Sequence, residues 1–186
     1  MTGSALLVMD VQHAVVARYP DPDYLPRLRT AIDAARAAGV PVIFVTVGFR
    51  PGAPEVHPRN KMFGALAGRA SDPAATAIPA EVAPADGEPI VTKRRVSAFA
   101  GSDLDLLLRS QGIARLILTG IATSGVVLST LRQAADLDYG LTVLADACLD
   151  ADPEVHRVLT EKVFPMQAEV QTIDHFVRSS RAPAAR

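Results

Sequence analysis

The sequence is poor in the residues that define several common classes of protein. Its 186 residues include one cysteine, no tryptophan and only 5% aromatic residues. A single cysteine excludes an internal disulfide framework and any metal site built from several thiolates. The 19 basic and 20 acidic residues nearly cancel, which leaves no electrostatic basis for binding nucleic acid or an anionic membrane surface. No apolar run approaches the roughly 18 residues that a membrane-spanning helix requires.

The amino terminus has the character of a buried strand and not of a targeting signal. It reads MTGSALLVMDVQ, with no basic segment and an aspartate after five apolar residues, so we expect no signal peptide and a cytoplasmic protein. Hydrophobic residues make up 49% of the chain, which is compatible with burial against a second subunit as well as in one core. We expect one domain over residues 1–178 and a disordered tail at 179–186.

Short apolar segments alternate with helical patterns along the chain. Strands are predicted at 5–9, 42–47, 89–92, 114–119, 141–145 and 169–172, and helices at 23–38, 104–110, 128–137 and 153–163. Continuous apolar strands separated by helices predict a parallel sheet covered on both faces, which is a three-layer α/β/α domain. The stretch from Gly48 to Gly87 holds six prolines and five glycines, and we interpret it as a long loop used in function or assembly.

Polar residues follow several of the predicted strands, where ligands bind in parallel sheets. Asp10 and Gln12 follow the first strand, Lys93 the third and Asp146 the fifth, and the fourth leads into the turn 120–126. An aspartate, a lysine and this glycine-flanked turn that converge on one crevice would form an acid/base centre beside a helix N-terminus that favours anions. The residues alone leave an alternative equally open, in which Asp10 caps a turn, Lys93 is solvated and the glycines only allow tight packing.

Three motifs carry a resemblance to a known superfamily. They are Asp10-Val-Gln12, Lys93 followed by SAFAGSDL at 97–104, and GIATSG at 120–125 followed by VVLST. In this order, and over residues 5–172, they resemble the isochorismatase-like, or cysteine hydrolase, superfamily. The resemblance implies a six-stranded parallel sheet in the order 3-2-1-4-5-6 and a homodimer or larger homo-oligomer. It also implies a cis peptide bond at Ile121–Ala122 and an oxyanion hole formed by the N–H groups of Ala122 and Val126.

The chain departs from this resemblance at the position of the nucleophile. Amidase members of the superfamily carry a cysteine where this chain has Val126, and an isopropyl side chain cannot attack a carbonyl carbon. Cys148 is a poor substitute, because no histidine lies beside it in sequence and a lone cysteine is usually buried and inert. The sequence therefore argues against thiol catalysis.

Other branches of the superfamily also lack the thiol, among them the phenazine-type isochorismatases, which hydrolyse a vinyl ether by acid catalysis. By resemblance, Asp10 is then the general acid and Lys93 its electrostatic partner. A neighbouring ammonium lowers the pKa of an aspartate whereas burial raises it, and acid catalysis near neutral pH needs burial to dominate. We predict a hydrolase of a small molecule, with vinyl ether cleavage as the most specific hypothesis. The alternative is a catalytically silent relative that binds a metabolite or serves as an assembly partner.

Further residues are expected to line the substrate pocket: Gln12, Arg50, Phe99, Ala122, Thr123, Ser124 and Gly125. Arg50 could pair with a substrate carboxylate, with a solvated loop arginine as the alternative, and Phe99 would form a wall. Nicotinamidases have an Asp-x-His metal motif after the second strand, but this region offers only Glu55 and His57. We predict neither a metal nor a cofactor, and we interpret His156 as a surface residue.

Overall fold

The computed structural model describes residues 3–66 and 72–181, which form a six-stranded parallel sheet with helices on both faces. The strands are β1 (Ser4–Met9), β2 (Val42–Val47), β3 (Ile90–Lys93), β4 (Arg115–Ile121), β5 (Gly140–Leu149) and β6 (Glu169–Gln171). Their order in the sheet is β3-β2-β1-β4-β5-β6, and every neighbouring pair is parallel. The predicted sheet and its order are confirmed.

The helices connect these strands and cover the sheet. They are α1 (His13–Val16), α2 (Tyr24–Ala37), α3 (Pro73–Thr76), α4 (Leu104–Ser110), α5 (Leu128–Asp136), α6 (Pro153–Val158) and α7 (Ile173–Arg181). Shorter helical turns lie at Gly64–Leu66, Ala80–Val82, Thr123–Val127, Leu159–Val163 and Phe164–Met166. Within residues 3–66 and 72–181, none of the helices combines the length and the apolar character that crossing a bilayer demands.

The central strand β1 shows why the sheet is covered on both faces. All six of its residues are buried, and successive side chains of a strand point to opposite faces. Leu7 therefore belongs to the apolar cluster that α4 and α5 cover, whereas Leu6 belongs to the cluster that α2 and α7 cover. Burial of each such leucine contributes roughly 1.5–3 kcal/mol to folding, so β1 is fixed from both sides and its carboxyl end is a rigid platform.

Strand β5 is longer than predicted and contains an irregularity that commits Asp146 to a structural role. The pairing advances by two residues of β4, from Leu118 to Gly120, while it advances by five residues of β5, from Val143 to Cys148. Asp146 lies in the extra segment, and its carboxylate accepts the N–H of the first residue of α7 at 2.8 Å. The prediction that Asp146 reaches the crevice at the end of the sheet is therefore wrong.

The carboxyl-terminal part differs from the prediction in two further respects. The helix predicted at 153–163 is regular only to Val158, after which the backbone widens into a looser turn at Leu159–Val163. Helix α7 was not among the predicted helices, although Ile173 and Phe176 are buried with the spacing of an amphipathic helix. Helix α7 continues to Arg181. The predicted disordered tail at 179–186 stays a prediction, and residues 182–186 lie outside the described segments.

Candidate active site

Asp10 is the first residue after β1, and the backbone fixes it at the carboxyl edge of the sheet. Its N–H donates to the carbonyl of Val45 in the neighbouring strand β2 at 2.8 Å. Its φ of +57° lies in the left-handed region, which aspartate tolerates better than most residues. The chain thus leaves the sheet abruptly at Asp10, and the carboxylate turns towards the end of β3.

Lys93 is the last residue of β3, in register with Val47 of β2. Its side chain is 1% exposed, and its Nζ lies 2.9 Å from Oδ2 of Asp10. The same nitrogen donates to the carbonyl of Arg95 at 2.9 Å. A buried ammonium is stable only with a counter-ion and hydrogen bonds, and Asp10 supplies the former. The predicted proximity of Asp10 and Lys93 is confirmed, and the alternative of a solvated lysine is excluded.

The carboxyl group of Asp10 is placed for proton transfer. Burial raises its pKa from 3.8 to about 6, and the opposing attraction of Lys93 is the smaller effect. Asp10 is therefore mostly ionised at pH 7, with a minor protonated fraction. Its Oδ1 is buried and has no hydrogen-bond partner among the described residues. Since Oδ2 is held by Lys93, Oδ1 is the atom that can exchange a proton with a substrate or a water molecule.

The turn after β4 begins directly beside Asp10. Met9, which precedes Asp10, is in register with Gly120, and a Cβ atom on Gly120 would lie 2.1 Å from the carbonyl oxygen of Met9. The φ of Gly120 is also +132°, so both the approach of the strands and the backbone conformation require glycine. The peptide bond Ile121–Ala122 is cis, as predicted.

Backbone hydrogen bonds organise the turn Thr123–Val127. The carbonyl of Ala122 accepts the N–H of Gly125 at 3.0 Å and the N–H of Val127 at 3.2 Å. The N–H groups of Ala122 and Val126 form no hydrogen bond with residues outside this turn in the described part of the chain. Their use as an oxyanion hole stays a prediction, as does substrate contact by Ala122 and Gly125.

Two side chains from the segment after β5 hold the same turn. The N–H of Ser124 donates to the carboxylate of Asp150 at 2.7 Å, and the Thr123 hydroxyl lies 2.8 Å from Nδ1 of His156. The interpretation of His156 as a surface residue is wrong, because its ring is partly buried against Thr123. Substrate contact by Thr123 and Ser124 stays a prediction. Asp150 was missed because the end of β5 was placed four residues too early, at residue 145 and not at Leu149.

Neither Val126 nor the single cysteine offers a nucleophile. Val126 is buried in the apolar cluster below α4 and α5, and Cys148 lies in the same cluster. Burial raises the pKa of the Cys148 thiol to about 12, so the reactive thiolate is scarce at neutral pH. The prediction that Cys148 is buried is confirmed, and its lack of reactivity stays a prediction. The contact of Val126 with the Asp10–Lys93 pair stays a prediction.

Gln12 has a structural role at the end of β2. Its Oε1 accepts the N–H of Val47 at 2.9 Å, and its Nε2 donates to the carbonyls of Val47 and Thr76 at 3.1 and 2.8 Å. Both amide protons are thereby used, and the side chain is buried. The Gln12 amide thus holds the end of β2 against the segment before residue 77, and substrate contact by Gln12 stays a prediction.

Phe99 packs on the face of the sheet that α4 and α5 cover. Its ring lies 6.0 Å from the ring of Tyr139, the residue that precedes β5 at the amino edge of the sheet, opposite to Asp10. Phe99 belongs to the apolar cluster covered by α4 and α5. Phe99 is thus packed in the core, and its role as a wall of the pocket stays a prediction.

Arg50 lies in the loop after β2 with an exposed side chain, and Glu55 is its partner. Its Nη1 is 3.6 Å from Oε1 of Glu55, and its N–H donates to the same oxygen at 3.1 Å. Arg94, which sequence analysis did not single out, also lies 3.3 Å from this carboxylate through its Nε. Contact between Arg50 and a substrate carboxylate stays a prediction. In residues 3–66 and 72–181, no three His, Cys, Asp or Glu side chains are grouped as metal ligands.

Comparison with known proteins agrees with the fold. Residues 4–175 match the family model described as an isochorismatase domain. The chain is 37% identical over 201 residues to the ureidoacrylate amidohydrolase of Stutzerimonas stutzeri (strain A1501), covering 93% of this chain and 77% of the relative. It is 34% identical over 176 residues to an isochorismatase family protein of Bacillus subtilis (strain 168), covering 94% of this chain and 92% of the relative.

A solved structure gives the same result. An isochorismatase family protein from Burkholderia thailandensis superposes with a TM-score of 0.89 at 28% identity, covering 98% of this chain and 97% of the other. Fold and relatives together show a hydrolase with a parallel sheet between two layers of helices. The chain belongs to the isochorismatase family.

Proposed function

We propose that this hydrolase cleaves a carbon–nitrogen bond of a small ureido or amide substrate without a thiol nucleophile, and that Asp10 transfers the proton. The observation that carries the proposal is the carboxylate of Asp10, whose Oδ1 is buried and unpartnered while Lys93 holds Oδ2. The relative from Stutzerimonas stutzeri is a ureidoacrylate amidohydrolase, which supports a ureido compound as the first substrate to test. No cofactor is required for this reaction.

The proposed reaction proceeds by direct attack of water. Oδ1 of Asp10 accepts a proton from a water molecule as its oxygen bonds to the substrate carbonyl carbon, and the electron pair of the carbonyl moves onto oxygen. The N–H groups of Ala122 and Val126 would stabilise this oxyanion. The protonated Asp10 then donates to the leaving nitrogen as the carbon–nitrogen bond breaks. The reaction forms no covalent intermediate, because the chain has Val126 and no thiol at this position.

Lys93 has an electrostatic role in this reaction. Its ammonium is fixed by Asp10 and by the Arg95 carbonyl, so it remains in place when the carboxylate gains a proton. It limits the effect of burial on the pKa of Asp10 and keeps the group mostly ionised at pH 7. A base that is ionised in the resting enzyme and has a pKa near the working pH can both accept and return a proton.

Vinyl ether hydrolysis is the second candidate, and the pKa of Asp10 favours it. At about 6, this pKa leaves a protonated fraction near neutral pH that could act as a general acid. Asp10 would protonate the vinyl carbon, water would add to the resulting oxocarbenium ion, and the Asp10 carboxylate would take up the proton released. The hemiketal so formed would then break down to a carbonyl compound and an alcohol.

A substrate panel with matched variants tests these proposals. Ureidoacrylate, an N-carbamoyl amino acid, nicotinamide and isochorismate would be assayed with the wild type, Asp10→Asn and Asp86→Asn, the last an exposed aspartate as control. We expect ureide hydrolysis by the wild type and the control, and a loss of roughly 10²–10⁴-fold in Asp10→Asn. Turnover of isochorismate alone would favour vinyl ether cleavage. Thermal stabilisation by a compound without any turnover would favour a catalytically silent metabolite-binding protein.

We also propose that the protein works as a homo-oligomer in the cytoplasm. The resemblance to the superfamily supports this assembly. A second copy could cover several large apolar side chains that are exposed in the described segments: Met62, Ile90, Leu106, Leu137 and Met166. Light scattering at micromolar concentration measures the mass directly. A monomer mass alone would contradict the oligomer, and recovery of the protein outside the cytoplasmic fraction would contradict its location.

A further inference from the structure

Polar side chains at and after the end of β5 hold the turn between β4 and α5. This turn, residues 122–127, carries the N–H groups of Ala122 and Val126. His156 of α6 contacts the hydroxyl of Thr123, and Asp150, at the end of β5, accepts the N–H of Ser124. Both contacts join segments more than 25 residues apart along the chain, so they fix the turn relative to the helix that follows β5.

The contact between Thr123 and His156 depends on the protonation of the ring. The Thr123 side chain is fully buried, so its hydroxyl proton needs an acceptor inside the protein. Burial lowers the pKa of His156, with Asp150 as a smaller opposing influence, which leaves the imidazole neutral at pH 7. In that form Nδ1 can accept the hydroxyl proton, whereas in the imidazolium both ring nitrogens are donors.

We propose that His156 is a positioning residue of the hydrolytic site, which acts through the Thr123 hydroxyl to hold the turn 122–127 in the conformation that presents the Ala122 and Val126 N–H groups. The importance of this presentation for turnover rests on the proposed function. The hydrogen bond itself and its effect on the turn do not.

Protonation of His156 should therefore disturb the turn. The Thr123 hydroxyl would lose its acceptor in a buried site, which is unfavourable. A positive charge would also appear near the amino end of α5, where the helix dipole disfavours it. Asp150 is the charged group that acts on the ring. Tyr19, after α1, lies close enough to both Asp150 and Arg18 for their charges to act on its hydroxyl. On α6, Arg157 is paired with Glu154 and Glu161 at the exposed surface.

Nuclear magnetic resonance of the full chain tests the positioning role without a substrate. The His156 ring would be titrated in the wild type, in Thr123→Val and in Thr123→Ser. We expect Thr123→Val to titrate at higher pH than the wild type, because it removes the donor that favours the neutral ring, and Thr123→Ser to resemble the wild type. The amide signals of Ala122 and Val126 should follow the His156 titration. An unchanged titration in Thr123→Val, or amide signals that do not respond, would overturn the proposal.

Kinetics with two His156 variants provide the second readout. His156→Phe removes the acceptor, and we expect kcat to fall on the order of tenfold with little change in KM. His156→Asn places an amide oxygen near the position of Nδ1, so it should rescue most of that loss and remove the contribution of His156 to the acid limb of the pH profile. Equal losses in both variants would contradict positioning. If no ureide or amide is hydrolysed while the resonance results hold, the proposed function fails and the positioning of the turn stands.

Discussion

The ammonium nitrogen of Lys93 lies 2.9 Å from Oδ2 of Asp10, and neither side chain is more than 11% exposed. The two residues come from β1 and β3, which are separated in the sheet by β2, so the lysine reaches across the end of a strand to meet the carboxylate. In this geometry the two oxygens of the Asp10 carboxyl group have different surroundings. One oxygen is fixed by a permanent charge, and the other faces whatever occupies the crevice.

The pH dependence of turnover should report the ionisation of Asp10. Because its pKa is raised to about 6, the group keeps its proton to higher pH than a solvated aspartate. If Asp10 is the base in ureide hydrolysis, kcat/KM rises with pH through about 6 and then levels off. If Asp10 is the acid in vinyl ether hydrolysis, kcat/KM falls as pH rises through the same value. A profile with no inflection between about pH 5 and 7 would contradict both roles.

Thiol reagents should leave the enzyme active. Cys148 is buried with a pKa raised to about 12, so iodoacetamide should not modify it in the folded protein and should modify it once in denaturant. Intact-mass spectrometry checks the modification, and an assay of the same samples checks turnover. Cys148→Ala should retain turnover as well. Inactivation of the wild type by the reagent, together with an inactive Cys148→Ala, would show that Cys148 is the nucleophile and that our mechanism is wrong.

A thiol at position 126 should introduce new chemistry. We expect Val126→Cys to gain slow esterase or amidase activity that iodoacetamide abolishes, because the thiol would stand in the turn that bears the predicted oxyanion hole. Val127→Cys is a matched control, because Val127 is the next residue along the chain and is buried in the same apolar cluster as Val126. A burst of product equal to the enzyme concentration, seen only in Val126→Cys, would identify an acyl-enzyme. The same activity in Val127→Cys would refute the special placement of position 126.

Gly120→Ala should be severely destabilising. The added methyl group would lie 2.1 Å from the carbonyl oxygen of Met9, and this oxygen belongs to the backbone of the central strand and cannot rotate away. We expect a loss of roughly 3 kcal/mol or more in the free energy of unfolding, measured by urea denaturation. Gly140→Ala is the control, since its Cβ meets the flexible side chain of Arg115, and its cost should be small. Similar stabilities of the two variants would contradict the argument.

The sequence was sufficient for the parts of the molecule that depend on local pattern or on a motif. The apolar run of β1 ends at Asp10, and the motif that contains Lys93 suggested its partner, so the pair could be predicted before its geometry was known. The parallel sheet could also be predicted, because hydrophobic periodicity indicates buried strands and the helices between them. The order of the strands came from the resemblance and not from periodicity.

Features that depend on distant contacts could not be predicted in this way. Gln12 follows Asp10 closely and resembled a site residue, but its amide bonds to residues 35 and 64 positions away. The additional residues in β5 are visible only from its register with β4. Because of them, Asp146 and the end of the strand lie at positions that differ from the predicted ones. His156 resembled a surface residue because nothing in the local sequence indicates that its ring meets Thr123, 33 positions earlier.

The side chain of Gln12 has a consequence for how this chain could be redesigned. The Gln12 amide donates to the carbonyls of Val47 and Thr76. It thereby holds together the two ends of the segment 48–75. What lies between those ends can lengthen, shorten or change composition while the two anchor points, and the Asp10–Lys93 pair beside them, keep their places. We therefore expect the segment 48–75 to be exchangeable. Transplanting the corresponding segment of a relative into this chain, with Gln12 retained, should carry over substrate preference while leaving the proton-transfer pair untouched.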